Sequence, residues 1–383
     1  MNIPKTADYV IVGGGVMGAS TAYHLAKAGA KNVVLLEKEA FFGLGATGRC
    51  AGGVRYQFST EINIHLSQLS LPMLEQLEAE TGQTADYRPL GYLILLTQEK
   101  DVATFERNVA LQRKMGVDTE WISGDDARRR LPMMHLDDVI AATCYEKDGL
   151  ADPNSVVMAY VNAAKRLGAT CLTDVTVTGV QTNGHAVIGV DTNHGTINTP
   201  AVINAAGPWA RPLGKMAGIE IPITPLRRQW LTTTPLPLPK DFPFVIDFAQ
   251  SLYFHPEGQG VLTGMSNPNE TPGFNQSVDD DWELNHMEAA IERLPMLEQA
   301  GVMSRWAGLY EVTPDHHPIF GATPLDGFYV VAGFSGHGFM HGPISGLLMA
   351  EIILDGHAKT LDVSSLDFAR FAENRLIHEY NVI

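Results

Sequence analysis

Gly13-Gly-Gly15-Val-Met-Gly18 stands directly after the apolar run Tyr9-Val-Ile-Val12 and before Ala19-Ser-Thr-Ala-Tyr-His-Leu-Ala-Lys27, a helix-forming stretch. Glycines at this spacing can hold a diphosphate. Gly13 permits a sharp turn out of the strand, Gly15 lets the backbone approach a pyrophosphate, and Gly18 lets the helix pack closely on the sheet. The free N–H groups and positive dipole end of the helix then face the phosphates. A second apolar run, Val33-Val-Leu-Leu36, ends at Glu37. That acid lies roughly 20 residues beyond the glycines, where a carboxylate accepts hydrogen bonds from an adenosine ribose. Strand, turn, helix, strand and acid occur in the order a dinucleotide-binding unit requires.

The elements that must carry this site recur far apart along the chain. Ala201-Val-Ile-Asn-Ala-Ala-Gly207-Pro-Trp209 reads as an apolar strand ending in small residues. Phe328-Tyr-Val-Val-Ala332 reads as another buried strand, followed by Gly333, Gly336, Gly338 and Gly342. An apolar helical pattern then runs from Ile344 to Leu354 and stops near Gly356. Between these lie stretches of different character. Residues 86–144 hold Leu93-Ile-Leu-Leu96 and a helix-like 101–115, while residues 223–300 are proline-rich with strand-like Leu252-Tyr-Phe254 and Gly260-Val-Leu-Thr-Gly264. The pattern predicts a discontinuous α/β, Rossmann-type cofactor domain from residues 1–85, 145–222 and 305–383. Residues 86–144 and 223–304 form an α+β substrate domain, built on an antiparallel sheet, that covers the open face of the cofactor.

Composition narrows the function classes. A chain of 383 residues has room for two domains. Its formal charge of −16 argues against nucleic acid or an anionic membrane as partner, because both require a basic face. No apolar run reaches the roughly 18 residues of a spanning helix, and no transmembrane segment is expected. The first strand opens at Tyr9, so no signal peptide is expected and the protein is read as cytoplasmic. Cys50, Cys144 and Cys171 are odd in number and lack CxxC spacing, which suggests neither a disulfide framework nor a zinc site. His316-His317 lack the companions of a metal centre, and Arg128-Arg-Arg130 reads as a solvated helix face.

Three further motifs carry a family resemblance. They are Gly45-Ala-Thr47-Gly48-Arg49-Cys-Ala-Gly-Gly53-Val-Arg55, Gly308-Leu-Tyr310-Glu-Val-Thr313-Pro314-Asp315-His-His-Pro318-Ile-Phe-Gly321, and Ala332-Gly-Phe-Ser-Gly336-His337-Gly338-Phe339. Together with the first fingerprint, and in this order over nearly the whole chain, they resemble the D-amino-acid oxidase superfamily of FAD enzymes. The sarcosine oxidase β-subunit and proline dehydrogenase β-subunit branch is the most similar. The resemblance implies a glutathione-reductase-like domain binding FAD in extended form, with its flavin ring at the boundary between domains. It implies contacts from Gly13, Gly15, Val16, Met17 and Gly18, then Glu37 and Lys38, and from Ala46, Thr47, Arg49, Gly52 and Gly53. Val175, Ala206, Gly207 and Trp209 follow, with Gly308, Gly333, Gly336, His337, Gly338, Phe339 and Met340 at the ring. Physically, the loop Gly45 to Gly53 can run beside a flat ring, and Ala205-Ala-Gly207 leaves space for the cofactor's middle. A helix starting after Gly336 favours the negative charge of a reduced ring. A nicotinamide cofactor would account for the first motif and leave the other three unexplained.

The reaction implied by the resemblance is hydride transfer from the carbon beside an amine nitrogen to flavin N5, giving an imine that water hydrolyses. Such chemistry needs a positioned C–H bond more than a strong base. Tyr310 matches a substrate-facing tyrosine of monomeric sarcosine oxidase, and Tyr253 and His255 lie on the strand expected to cover the ring. Three departures bear on the reading. Gly308 stands where covalent-flavin relatives have their attachment cysteine, so noncovalent FAD is expected. Leu262 stands where sarcosine-type oxidases place a lysine that helps oxygen accept electrons, which favours a dehydrogenase. The substrate carboxylate meets a basic side chain in relatives, yet here those positions hold Met340 and Tyr310. Arg55 is the remaining candidate, with Arg49 behind it; Arg227-Arg228 after Pro225 have a packing or flavin-edge role that the sequence does not separate. The expected protein oxidises a sarcosine-, proline- or N-methyl-amino-acid-like substrate, alone, as a homo-oligomer or with a partner subunit. A D-amino-acid dehydrogenase, or a flavin-holding electron-transfer or assembly subunit, are the alternatives.

Overall fold

The computed structural model describes residues 3–382. Its first layer is a six-stranded sheet in the order Ile319–Ala322, Phe328–Ala332, Val202–Asn204, Tyr9–Val12, Val33–Leu36, Thr170–Leu172. All neighbours run parallel except the first pair. Strands of this kind are covered on both sides, and each residue of Val33–Leu36 is buried. Alternation divides the strands' side chains between two cores. Ile11, Leu35, Ile203 and Val331 face helices Val16–Lys27, Pro153–Arg166 and Gly338–Asp355. Val10, Val34, Val202 and Val330 face a three-stranded antiparallel sheet of Val177–Thr182, Val187–Thr192 and Gly195–Asn198.

Helices Val16–Lys27 and Gly338–Asp355 lie in close contact, because small residues meet between them. A Cβ on Gly346 would fall 2.2 Å from Ser20 Oγ, and one on Gly342 would fall 2.4 Å from Val16 Cγ2. Ser20 Oγ donates across the contact to the Pro343 carbonyl at 2.9 Å. This packing places both helix N-termini on one side of the sheet, beyond the carboxyl ends of its strands, where α/β folds bind ligands.

The second layer is an eight-stranded sheet. Its order is Val302–Val312, Thr224–Thr233, Gly260–Met265, Leu252–Glu257, Phe244–Asp247, Tyr92–Leu96, Ala141–Tyr145, Glu120–Ser123. The sheet is antiparallel, as expected, except at one seam, where Phe244–Asp247 and Tyr92–Leu96 run parallel. There the two separate chain segments meet edge to edge with no hairpin to reverse direction. The expected division at 304/305 falls inside Val302–Val312, which pairs along Thr224–Thr233 from Val312 back to Val302.

Alternation again sorts the residues of this sheet. Leu93, Leu95, Val245, Leu252, Phe254 and Val261 pack under helix Asp280–Arg293. That helix is capped by Asp279, which accepts from the Trp282 N–H at 3.1 Å. The opposite face carries Tyr92, Ile94, Phe244, Ile246, Tyr253 and Trp230 toward the first layer. Among the described residues, no helix is long and apolar enough to cross a membrane.

Candidate active site

A cavity of 470 Å³ runs between the carboxyl ends of the parallel strands and the aromatic face of the second sheet. It begins at the glycine turn. Gly13 adopts φ +113°, and a Cβ there would strike the Ala205 carbonyl oxygen at 2.3 Å, so only glycine fits. Glu37 is buried beneath the turn, where its Oε2 accepts from the Gly14 N–H at 2.6 Å and its Oε1 from the Glu39 N–H at 2.9 Å. Burial raises the pKa of this carboxyl, and the two backbone donors oppose that rise. Lys38 Nζ lies 3.5 Å over the Trp209 ring, closing the same end.

Two helix N-termini open on this cavity, through Val16 and Met17 and through Gly338, Phe339 and Met340. Neither helix has a side-chain cap or an acidic residue in its first turn. Their positive ends are therefore not neutralised by their own first turns. Thr47 Oγ1 takes up the Val16 N–H at 3.2 Å and stands 3.1 Å from where a Gly15 Cβ would be.

The far end is aromatic. Tyr92 stacks on Phe244 with centroids 4.1 Å apart, and Phe244 stacks on Tyr253 at 5.6 Å. Tyr310 completes the wall with Trp230. Burial pushes the phenols of Tyr92, Tyr253 and Tyr310 up, with the charge of Arg228 partly opposing this at Tyr253 and Tyr310. At neutral pH they are hydrogen-bonding groups and not bases. His337, just before the second helix, is held neutral because burial drives its pKa well below the ordinary value, helped by the charges of His341, His317 and Arg55.

Arg55 lines the cavity but is already engaged. Its Nη1 donates to the Gln57 carbonyl and its Nη2 to the Asn381 carbonyl, while the guanidinium lies 4.1 Å over Phe58. His255 does not line the cavity. It shares a face with Tyr253 but sits about 6.6 Å farther along the strand, its ring tilted against Phe244 at 5.0 Å with Nδ1 2.9 Å from the Pro256 carbonyl. Leu262, paired with His255, is likewise buried away from it.

Of the expected cofactor residues, four also stand outside the wall. Gly18 lies under the Gly13 carbonyl, where a Cβ would come within 1.9 Å, so its part is to seat the helix on the strand. Arg49 reaches the Ala307 carbonyl at 2.8 Å and the Leu44 carbonyl at 3.2 Å. Gly308 lies against Arg49 Cβ and the Trp230 ring, and Gly333 turns at φ +87° against Thr313. The remaining expected residues, Gly13, Gly15, Val16, Met17, Glu37, Lys38, Ala46, Thr47, Gly52, Gly53, Val175, Ala206, Gly207, Trp209, Gly336, His337, Gly338, Phe339 and Met340, all line the cavity.

Further wall residues were not among the expected ones. Tyr92, Phe244 and Trp230 could be found only through strand alternation once the strands were placed. Val382 arrives from the end of the described chain. Glu311, next to Tyr310, is buried with Oε1 accepting from the Phe334 N–H at 3.2 Å and Oε2 without a partner among the described residues. Burial pushes its pKa up to about 7. Cys50 also lines the cavity, with its thiol pushed up to about 12 by burial.

Comparison with known proteins agrees with this geometry. Residues 8–352 match the DAO family, described as FAD dependent oxidoreductase. Human mitochondrial sarcosine dehydrogenase is 31% identical over 98% of this chain and 42% of its own length, so the chain spans less than half of that relative. Sarcosine oxidase subunit beta of Rhodobacter capsulatus is 29% identical over 98% of this chain and 91% of its own. The crystal structure of L-proline dehydrogenase from P. horikoshii superposes with a TM-score of 0.90 at 34% identity, covering 98% of this chain and 100% of that one. The chain belongs to the DAO family of FAD-dependent oxidoreductases.

Proposed function

We propose that FAD lies extended along this cavity and that the chain oxidises a small amino acid or secondary amine of the sarcosine, proline or N-methyl amino acid type. The carrying observation is the pair of helix N-termini, neither capped by its own N-cap side chain, that open on one cavity ending in a tyrosine-rich wall. The residues present fit FAD. Glycine backbone lies where a Cβ would intrude, the first helix offers its N-terminus to a pyrophosphate, and Glu37 stands at the ribose position. The second helix N-terminus, with Gly336, His337 and Gly338, receives the ring end.

FAD supplies the acceptor for two electrons and a hydrogen from the substrate carbon. The chain's own part is to orient the amine and to exclude water. Tyr92, Phe244, Tyr253 and Tyr310 form the substrate-side wall, their neutral hydroxyls available to an amine nitrogen or a carboxylate. Arg55 fixes a positive charge at this end while its donors hold the backbone at Gln57 and Asn381. Noncovalent attachment follows from Gly308, which offers no side chain to bond. Leu262 lies outside the cavity wall and carries no argument about oxygen; the similarity to proteins named sarcosine dehydrogenase and L-proline dehydrogenase supports a dehydrogenase over an oxidase. The similarity to a protein named as a β subunit supports a partner subunit, which the mass of the native particle would reveal.

Anaerobic titration of the purified yellow protein with sarcosine, L-proline, glycine and a D/L amino-acid panel tests the reading. Bleaching of the flavin band by one of them, with slow return of colour in air, is the expected result. A flavin that no amine bleaches would overturn it in favour of an electron-transfer or assembly role.

A further inference from the structure

Residues 375–382 adopt neither helix nor strand, so their place is fixed by contacts with the rest of the protein. Glu379 is the anchor. Its buried carboxylate accepts at Oε1 from the N–H groups of Ser59 at 2.8 Å and Asn381 at 3.0 Å, and from the Ser59 hydroxyl. Oε2 accepts from Thr60 Oγ1 at 2.7 Å and from Asn63 Nδ2 at 3.0 Å. Burial acts to raise the pKa of this carboxyl, but the donors outweigh it and hold the value below 4.5. Asn381 is buried as well. Its carbonyl takes Arg55 Nη2, its Oδ1 accepts from Asn108 Nδ2 at 3.1 Å, and its Nδ2 donates to the Gln57 carbonyl at 3.3 Å. Tyr380, between the two, is 66% exposed, so solvent lies on the outer side of the segment.

These contacts carry the segment across the substrate end of the cavity. Asn63 belongs to helix Glu61–Glu75, which packs on Gly338–Asp355, whereas Asn108 belongs to helix Glu99–Lys114 of the second layer. Gln57, which Asn381 holds, donates to the carbonyl of Tyr92 in the aromatic wall at 3.0 Å. Val382 then lines the cavity, as Arg55 and Tyr92 do. An aliphatic side chain in such a wall offers a ligand no hydrogen bond and acts by its volume alone. A methylene more or less in an apolar pocket changes selectivity about 10- to 200-fold.

We infer that residues 379–382 form a strap across the substrate end of the cavity, and that Val382, held in place by the Glu379 anchor, sets the size of the group admitted there. This rests on the proposed amine oxidation for the class of ligand, but the size limit can be measured without turnover.

The experiment titrates the FAD-loaded protein with three probes, read from the flavin spectrum. They are α-aminoisobutyrate and the α-amino acids whose α-carbon closes a cyclopentane or a cyclohexane ring. None has a hydrogen on the carbon beside nitrogen, so binding is read without oxidation. Wild-type affinity should fall as the probe grows. Val382→Ala should bind the cyclohexane probe about 10-fold more tightly than wild type, and Val382→Phe should weaken all three. Glu379→Ala should relax the limit as Val382→Ala does and speed amide hydrogen exchange across residues 376–382. A size profile unaltered in both Val382 variants overturns the assignment. So does a Glu379→Ala protein whose strap exchanges freely while the profile stays as in wild type, or a wild type that binds none of the probes. Amine oxidation with an unaltered profile refutes only the strap, and a size limit in a protein bleached by no amine refutes only the oxidation.

Discussion

The Tyr310 ring occupies the space above Gly336 so closely that a Cβ on Gly336 would lie 2.4 Å from Tyr310 Cε2. A tyrosine of the second sheet is thus seated on the glycine that precedes the Gly338–Asp355 helix, and the two layers of the site are in register through one missing side chain. Gly336 also adopts φ +102°, which a side chain tolerates poorly. Gly336→Ala should displace the ring and cost about 1–3 kcal/mol of stability. Urea unfolding would measure that cost. The same variant should lose substrate-dependent flavin reduction more than it loses FAD, so bleaching rate and bound FAD should be measured together.

Cys50 lines the cavity, yet its thiol is pushed up to about 12 by burial. The reactive thiolate is therefore scarce at neutral pH. Cys50 should resist iodoacetamide at pH 8 in the folded protein and react once unfolded, as read by peptide mass spectrometry. Denaturation followed by filtration should carry all yellow colour into the filtrate. Colour retained on the polypeptide would disprove noncovalent attachment.

Glu311 provides a pH signature. Its pKa rises from 4.5 unfolded to about 7 folded because burial penalises the charged form. A raised carboxyl contributes stability that is present below pH 4.5 and lost as pH climbs through 7. The FAD-free protein should lose about 3 kcal/mol across that window from this group. Asp148, raised to about 7 by the same cause, acts in the same direction. Glu311→Gln should flatten the pH dependence of thermal unfolding in part, and adding Asp148→Asn should flatten it further. An unchanged profile in the double variant would contradict the assignment.

The loop after Tyr310 is held by a buried ion pair. Arg370 Nε meets Asp315 Oδ2 at 2.8 Å and Nη2 meets Oδ1 at 3.0 Å, with both side chains fully buried. Arg370 also donates to the carbonyls of Leu366, Asp367 and His317. Arg370→Met should cost about 3–5 kcal/mol, since it strands a buried carboxylate. Burial acts to raise the Asp315 pKa, but the Arg370 contact outweighs it and holds the value below 3.8. That contribution is present above pH 3.8 and lost as pH falls through the lower folded value. The stability gap between wild type and Arg370→Met, measured by urea unfolding, should therefore shrink as pH falls below 3.8.

The residues alone determined the dinucleotide unit, because its physics is local. A turn that requires Gly13, a helix that begins at once, and an acid one strand later are all encoded within forty residues of one another. The order of the later glycine motifs likewise carried the family and its FAD. What the tertiary structure decided is non-local. Arg227 and Arg228 are the same residue type at adjacent positions, and only the pairing of their strand turned one toward Asp279 and the other toward Tyr310. Arg55 reads as a free cation until the chain from residue 379 onward returns to place the Asn381 carbonyl upon it. Tyr253 and His255 share one alternation, but the extent of the cavity separated them. Spacing along the chain specifies which face a side chain takes. Which partners wait on that face depends on contacts between residues hundreds of positions apart, and these no local pattern contains.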